Sequence, residues 1–254
     1  MKTYIYLFLL MLLVSAGCKK KSVSLVAEQT LPPLKLLPES AANPQLPGLH
    51  SFAYIYTDTY IAKAVLYYVP KTYNAGQATA FLMMLHGCCT DATQSMDLMQ
   101  KYSDEHNIIL LAPVSVGRTW DFISGKGFAD DNTYINQELD YMFKNFNIDK
   151  SKVAIAGFSD GASYALTLGL SRDDLFTHIM AFSPGYVRIS SPTRKPEIFI
   201  GHGVDDRVLP IDKCSRTIVK QLEAHGYKAN YTEFAGGHFV PNDISLAAIN
   251  WFKK

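Results

Sequence analysis

The chain has 254 residues, 48% of them apolar, which suits one large domain better than two small ones once the N-terminal segment is set aside. Lys and Arg number 24 against 23 Asp and Glu, so no net field draws nucleic acid or steers a highly charged substrate. A nucleic-acid partner is excluded on that balance.

The first element in chain order is a leader. Residues Met1 to Gly17 carry Lys2, an apolar run from Tyr4 to Val14, and the small residues Ser15, Ala16 and Gly17 immediately before Cys18. This is the pattern of a secretory signal peptide, and the run falls short of the roughly 20 residues that a membrane span requires. The Ser-Ala-Gly-Cys ending resembles the bacterial lipoprotein lipobox, although Ser15 stands where Leu is usual. The expectation is a protein exported to the cell envelope, with Cys18 lipidated and serving as a membrane anchor. Residues 18 to 48 are rich in Pro, Ser, Ala and Lys, with Pro32, Pro33, Pro38, Pro44 and Pro47 interrupting any regular pattern, and read as a tether. The leucines at 31, 34, 36 and 37 are apolar enough to pack on the domain that follows.

From residue 49 to 254 the sequence reads as a single catalytic domain. His50 to Tyr56 and Ile61 to Pro70 alternate as an antiparallel pair around the polar Thr57-Asp58-Thr59 turn. Short apolar runs follow at Phe81 to Leu85, Ile108 to Ala112, Val153 to Ala156, His178 to Phe182 and Ile198 to Ile200, as in parallel strands buried on both faces. Amphipathic stretches at Ala92 to Glu105, Thr133 to Phe146, Ala162 to Leu170, Lys213 to Ala224 and Ile244 to Phe252 predict helices. Alternating strands and helices imply an α/β fold with a mostly parallel sheet. The one long irregular stretch, Val114 to about Asp130, contains Trp120 and Phe122 and follows a central strand. It is expected to line a substrate site at the carboxyl edge of the sheet.

The chemistry begins at Val153-Ala154-Ile155-Ala156, which runs into Gly157-Phe158-Ser159-Asp160-Gly161 and then into the apolar helix from Ala162. A strand, a G-x-S-x-G turn and a helix together form a nucleophile elbow. Small residues let strand and helix approach, and the helix start aims free N–H groups and a positive dipole end at the turn. Ser159 is therefore the candidate nucleophile, and it requires a base. In the chain order Ser, acid, His, five of the seven histidines fall too early. His225 sits at a helix end before Gly226, whereas His238 occupies the glycine-rich Phe234-Ala235-Gly236-Gly237-His238-Phe239 loop, so His238 is the candidate base.

The acid follows the Ile198-Phe199-Ile200 strand in Gly201-His202-Gly203-Val204-Asp205-Asp206. Neighbouring side chains in an extended loop point apart, so only one of Asp205 and Asp206 can orient the imidazole, and this chemistry does not choose between them. Asp212 reads as a helix N-cap, and Asp160 points away from the histidine loop. Two backbone donors complete the set: the N–H of Asp160, after the nucleophile, and the N–H of Cys88 in Met83-Met84-Leu85-His86-Gly87-Cys88-Cys89, with Gly87 as the alternative. Beyond Cys18 three cysteines remain, Cys88, Cys89 and Cys214. Adjacent cysteines rarely bond to each other, so the candidate staple joins one of them to Cys214. Their spacing is not that of a zinc site, and the chemistry requires neither metal nor cofactor.

Together His86-Gly87-Cys88, the Ser159 elbow, His202-Gly203-x-x-Asp206-x-Val208-x-Pro210 and Gly237-His238 resemble the phospholipase/carboxylesterase group of α/β-hydrolases, which includes acyl-protein-thioesterase-like enzymes. The resemblance covers about Ala64 to Trp251. In that group the acid lies four residues after the His of the His-Gly pair, which implies Asp206. The His-Gly-Cys opening is also similar to secreted polyhydroxybutyrate-depolymerase and feruloyl-esterase-like enzymes. The resemblance implies an α/β-hydrolase fold without a large cap, and hydrolysis of a modest-sized or surface-presented carboxylic ester through an acyl-enzyme. A serine peptidase of similar fold would use the same residues but usually carries an additional domain. A non-catalytic binding protein on this scaffold has no reason to keep Ser159, the acid and His238 together. The glycine pairs at 125/127 and 201/203 lack the third glycine of a dinucleotide fingerprint.

Overall fold

A computed structural model describes residues 37–38, 45–55, 62–128, 130–190 and 194–254. The expected signal peptide, the lipidation position Cys18, Pro32, Pro33, Pro44, Leu31, Leu34 and Leu36 of the tether, and the Thr57-Asp58-Thr59 turn lie outside the described residues.

Among the described residues, one mixed sheet of nine strands organises the domain: β1 (Leu37–Pro38), β2 (Gly48–Ile55), β3 (Ala62–Val69), β4 (Thr79–Leu85), β5 (Ile108–Ala112), β6 (Ile148–Phe158), β7 (His178–Phe182), β8 (Glu197–Gly203) and β9 (Ala229–Phe234), in the spatial order 1-2-3-5-4-6-7-8-9. The first three strands and the β3–β5 contact are antiparallel, and every pair from β5 to β9 is parallel. Among the described residues, α1 (Ala92–His106), α2 (Asp130–Asn145), α3 (Asp160–Ser171) and α4 (Ser215–Ala224) connect strands, and α5 (Asn242–Phe252) follows β9. Strand β1 falls inside the stretch read as tether. Its Pro38 falls on the outermost strand, the place in a sheet to which proline is normally confined.

Strands β4, β5 and β7 are buried along their whole length because both faces are covered, and alternation assigns each residue to a face. Phe81, Met83, Leu85, Ile155, Ile179 and Ile200 pack with Tyr134, Ile135 and Leu139 of α2, Leu166 of α3 and Leu222 of α4. Leu82, Met84, Ala154, Ala156, Met180 and Phe199 pack on the other face with Met96 and Met99 of α1 and Ile249 and Phe252 of α5. The order 5-4-6 matters for function: the chain leaves β4 toward α1 on one face and leaves the neighbouring β6 toward α3 on the other. Two loops that diverge from adjacent strand ends open a crevice at the carboxyl edge.

Candidate active site

Ser159 sits between β6 and α3 with φ 57° and ψ −120°, outside the regions a serine prefers. The surrounding packing imposes this conformation. A Cβ on Gly157 would overlap the backbone of Gly161, and one on Gly161 would overlap the carbonyls of Leu85 and His86, so strand and helix touch at backbone distance. The Ser159 N–H donates to the Phe182 carbonyl (2.9 Å), which ties the turn to β7.

The hydroxyl thus presented meets the glycine-rich loop after β9. Ser159 Oγ lies 2.8 Å from His238 Nε2, and His238 Nδ1 lies 2.6 Å from Asp206 Oδ2. The loop after β8 and the loop after β9 are stitched together: Val204 N–H donates to Phe234 O and Asp205 N–H to Gly236 O, both at 2.9 Å. Gly203 lacks a side chain where a Cβ would strike the carbonyls of Gly236 and Gly237. Asp206 is buried and faces the imidazole, while Asp205 is exposed.

The carboxylate of Asp206 has a partner on every side. Oδ1 accepts from the N–H groups of Val208 (2.9 Å) and Leu209 (2.8 Å), and Oδ2 from the His238 ring and from His202 Nε2 at 3.2 Å. Burial by itself raises this carboxyl, but the Leu209 N–H, the His238 ring and the Val208 N–H together hold it below its ordinary value. His202 is fully buried, and that burial lowers its pKa and keeps the ring neutral at pH 7. Its Nδ1 accepts the Ser215 hydroxyl at 2.6 Å, so its Nε2–H is shared between Leu209 O (2.8 Å) and Asp206. His202 is thus a buttress of the acid that chain order set aside as a base candidate. The signal for it was the spacing His202-x-x-x-Asp206 itself.

The loop after β4 passes beside the serine, with the Gly87 Cβ position 3.4 Å from Ser159 Cβ. Buried His86 accepts the Ser115 N–H at Nε2 (3.0 Å), which leaves Nδ1–H to donate to the Gly87 carbonyl (2.7 Å). Thr90 Oγ1 donates to the same carbonyl at 2.9 Å. Because a trans peptide points its C=O and N–H in opposite directions, fixing the Gly87 carbonyl fixes the direction of the Cys88 N–H. The Gly87 N–H is already committed to Gln94 Oε1 at 2.8 Å, which removes the alternative donor. Asp160 opens α3, so its N–H is one of the free donors of that helix start, and its carboxylate is turned aside onto the Thr119 hydroxyl (2.6 Å).

Four sequence expectations are corrected here. Trp120 is fully buried, donates its indole N–H to the His86 carbonyl (2.9 Å), and stacks on Tyr164 at 5.4 Å, so it supports the loop after β4 and does not line the site. Phe122 is buried as well, beneath Phe128 (5.0 Å) and Tyr186 (5.7 Å), and these two rings carry the exposed aromatic surface. The sulfurs of Cys88 and Cys89 pair with each other and Cys214 is buried and free, so no bond reaches Cys214. Asp212, read as a cap, instead pairs with Arg216 at 2.8 Å, and the residue at the α4 N-cap is Cys214.

This fold and this serine elbow define an α/β-hydrolase. Residues 62–217 match the Esterase family model, more than half of the chain, and the protein belongs to that family. It is 29% identical over 119 residues to an acetylxylan esterase from Coprinopsis cinerea, a match covering 43% of this chain and 32% of that protein. It is 26% identical over 140 residues to the S-formylglutathione hydrolase of Mus musculus, covering 46% of this chain and 50% of the relative. The matches therefore span about a third to a half of the length of these curated relatives. Among solved structures, the Staphylococcus aureus serine hydrolase FphF superposes with a TM-score of 0.65 at 17% identity, covering 82% of this chain and 99% of that one. A ferulic acid esterase from Anaeromyces mucronatus gives 0.64 at 19%, covering 86% and 95%. At these identities the structural matches speak to the fold.

Proposed function

We propose that this protein hydrolyses carboxylic esters through an acyl-enzyme, with Ser159 as nucleophile, His238 as general base and acid, and Asp206 as the carboxylate that orients it. The observation carrying this reading is the unbroken chain from Ser159 Oγ through His238 (2.8 Å) to Asp206 (2.6 Å) on a serine held at positive φ. His238 Nδ1–H donates to Asp206, which leaves Nε2 to take the serine proton as Oγ attacks the ester carbonyl. The N–H groups of Cys88 and Asp160 stabilise the oxyanion. The alcohol leaves with the proton from His238, and a water activated by the same ring releases the acid. A single missing donor of this type costs roughly 10²–10³ in rate.

Relatives named acetylxylan esterase and S-formylglutathione hydrolase support a small acyl group on a larger or surface-presented alcohol or thiol. The export signal and the Ser-Ala-Gly-Cys sequence support a site of action in the cell envelope, anchored through Cys18. The test is a panel of model esters graded in acyl length, with acetyl-sugar and feruloyl esters added, run on wild type and Ser159→Ala. Wild type should turn over part of the panel and the variant none of it. Turnover of none by wild type, or equal turnover by both, refutes the reading. Incorporation of labelled palmitate should vanish in Cys18→Ser, and its persistence would overturn the anchor.

A further inference from the structure

The loop that supplies the candidate oxyanion donor carries a second reactive feature. Cys88 and Cys89 are both exposed, and their sulfurs pair with each other. The loop is fixed on either side of them: the Gly87 carbonyl by His86 and Thr90, and the Cys89 N–H by the Arg118 carbonyl at 2.7 Å. Cys89 itself has φ 64°, a left-handed conformation that a side chain other than glycine avoids unless held there. The Arg118 guanidinium lies with Nη2 3.5 Å from Cys89 Sγ, and among the described residues Arg118 has no carboxylate partner. A cation against an exposed sulfur is the environment that favours the thiolate. The remaining described cysteine, Cys214, is the opposite case, buried with its thiol pushed up by that burial.

We propose that Cys88 and Cys89 form a reversible dithiol–disulfide site that sets the geometry of the oxyanion loop, with small-molecule disulfides and dithiols as its reaction partners. The regulatory half rests on the ester-hydrolase reading above. In closing, the Cys89 thiolate beside Arg118 attacks one sulfur of an external disulfide, forms a mixed disulfide and expels a first thiol. The Cys88 thiolate then attacks Cys89 Sγ, and the second thiol leaves. Two electrons pass from the pair to the external disulfide, and the two thiol protons end on the released thiols. The closed pair holds Cys89 in its left-handed turn and the Cys88 N–H on the side of Ser159. Opening frees Cys89 to relax toward negative φ and loosens the donor, whose peptide is then held by the Gly87 carbonyl bonds alone. This acts on the transition state, hence on kcat more than on KM.

The full chain is treated with oxidised glutathione or with dithiothreitol, alkylated, and mapped by peptide mass, while parallel samples are assayed on a model ester. The fragment holding both cysteines should resist alkylation after oxidation, with a mass about 2 Da below the dithiol, and take two alkyl groups after reduction. Reduction should lower kcat by about tenfold, short of losing a donor outright, with KM within about twofold and recovery on reoxidation. Cys88→Ser and Cys89→Ser should form no internal pair, Cys88→Ser stopping at a glutathione adduct that dithiothreitol removes, Cys214→Ser should respond as wild type does, and Arg118→Ala should close more slowly. Double alkylation of oxidised wild type overturns the site, and a kcat that is unchanged between states, or that shifts equally in Cys89→Ser, overturns its control of the loop. If neither state hydrolyses any ester, the function reading and the regulatory half fall together, and the mass map still decides whether the pair forms.

Discussion

Replacing Asp206 by Asn keeps the size of the side chain and changes one pattern of donors and acceptors. The wild-type carboxylate accepts on both oxygens, from two backbone N–H groups on Oδ1 and from two ring N–H groups on Oδ2. Asn can keep the Val208 and Leu209 bonds with its carbonyl, but its NH2 then faces His238 Nδ1 and His202 Nε2, both of which are donors. The conflict is relieved when His238 adopts the other tautomer, with Nδ1 accepting and Nε2 protonated. A protonated Nε2 cannot take the Ser159 proton. Loss of the correct tautomer in a serine triad costs about 10⁴ in kcat, roughly 5 kcal/mol of transition-state stabilisation. The backbone bonds survive, so the melting temperature should fall by only a few degrees. Steady-state kinetics on a model ester and thermal unfolding, run in parallel on Asp206→Asn and on the exposed Asp205→Asn, separate the two effects. Asp205→Asn should stay within about twofold of wild type. If Asp206→Asn keeps a tenth or more of wild-type kcat, or if Asp205→Asn loses as much, the tautomer argument is wrong.

Trp120→Phe leaves the His86 carbonyl unpaired in the core, at about 1–3 kcal/mol, and should lower the melting temperature by several degrees while leaving KM for a small ester unchanged. A large rise in KM would restore Trp120 to the substrate site. Gly161→Ala places a methyl group against the Leu85 and His86 carbonyls, and should cost at least about 3 kcal/mol in thermal or denaturant unfolding, where a near-neutral result would contradict the backbone contact. Asp131 is the pH-sensitive element. Burial pushes its carboxyl up to about 6, and the Val116 and Asp121 N–H groups only partly offset that burial. A carboxyl raised above its unfolded value of about 3.9 contributes stability that is complete below that pH and is lost as pH rises through about 6, up to about 3 kcal/mol. The stability advantage of wild type over Asp131→Asn, followed by urea unfolding between pH 4 and 8, should therefore shrink across this window, and an advantage that grows with pH would reverse the sign argued here.

Local pattern carried most of the architecture. Strands β5 and β7 begin and end where their apolar runs do, because strands buried on both faces leave no exposed residue to blur the boundary. Helix α2 starts at Asp130, three residues before its apolar stripe, since Asp130 and Asp131 in its first turn suit the positive end of the helix without being part of that stripe. Ser159 and His238 were legible because an elbow and a glycine loop are local signals. The choice of Asp206 over Asp205 was legible only through the family spacing after His202, since locally it depends on which side chain of an extended pair turns inward, and that is set by the stitching of two loops about 30 residues apart. The place of Trp120 was not legible. An indole in a glycine-rich loop reads as a ligand contact, and only the fold shows its N–H committed to the His86 carbonyl at the start of the loop after β4. Adjacent Cys88 and Cys89 defeated a general rule because a left-handed residue, which sequence does not announce, brings their sulfurs together.

The most direct test of the central claim is covalent. Wild type and Ser159→Ala are incubated with a slowly deacylating active ester, quenched in acid, and mapped by mass. The account predicts one acyl group, carried on Ser159, that forms in wild type and in no Ser159→Ala sample, and that accumulates at a rate reduced by about 10⁴ in Asp206→Asn. An acyl group on any other residue of wild type, or turnover of the ester with Ser159 unmodified, would contradict it.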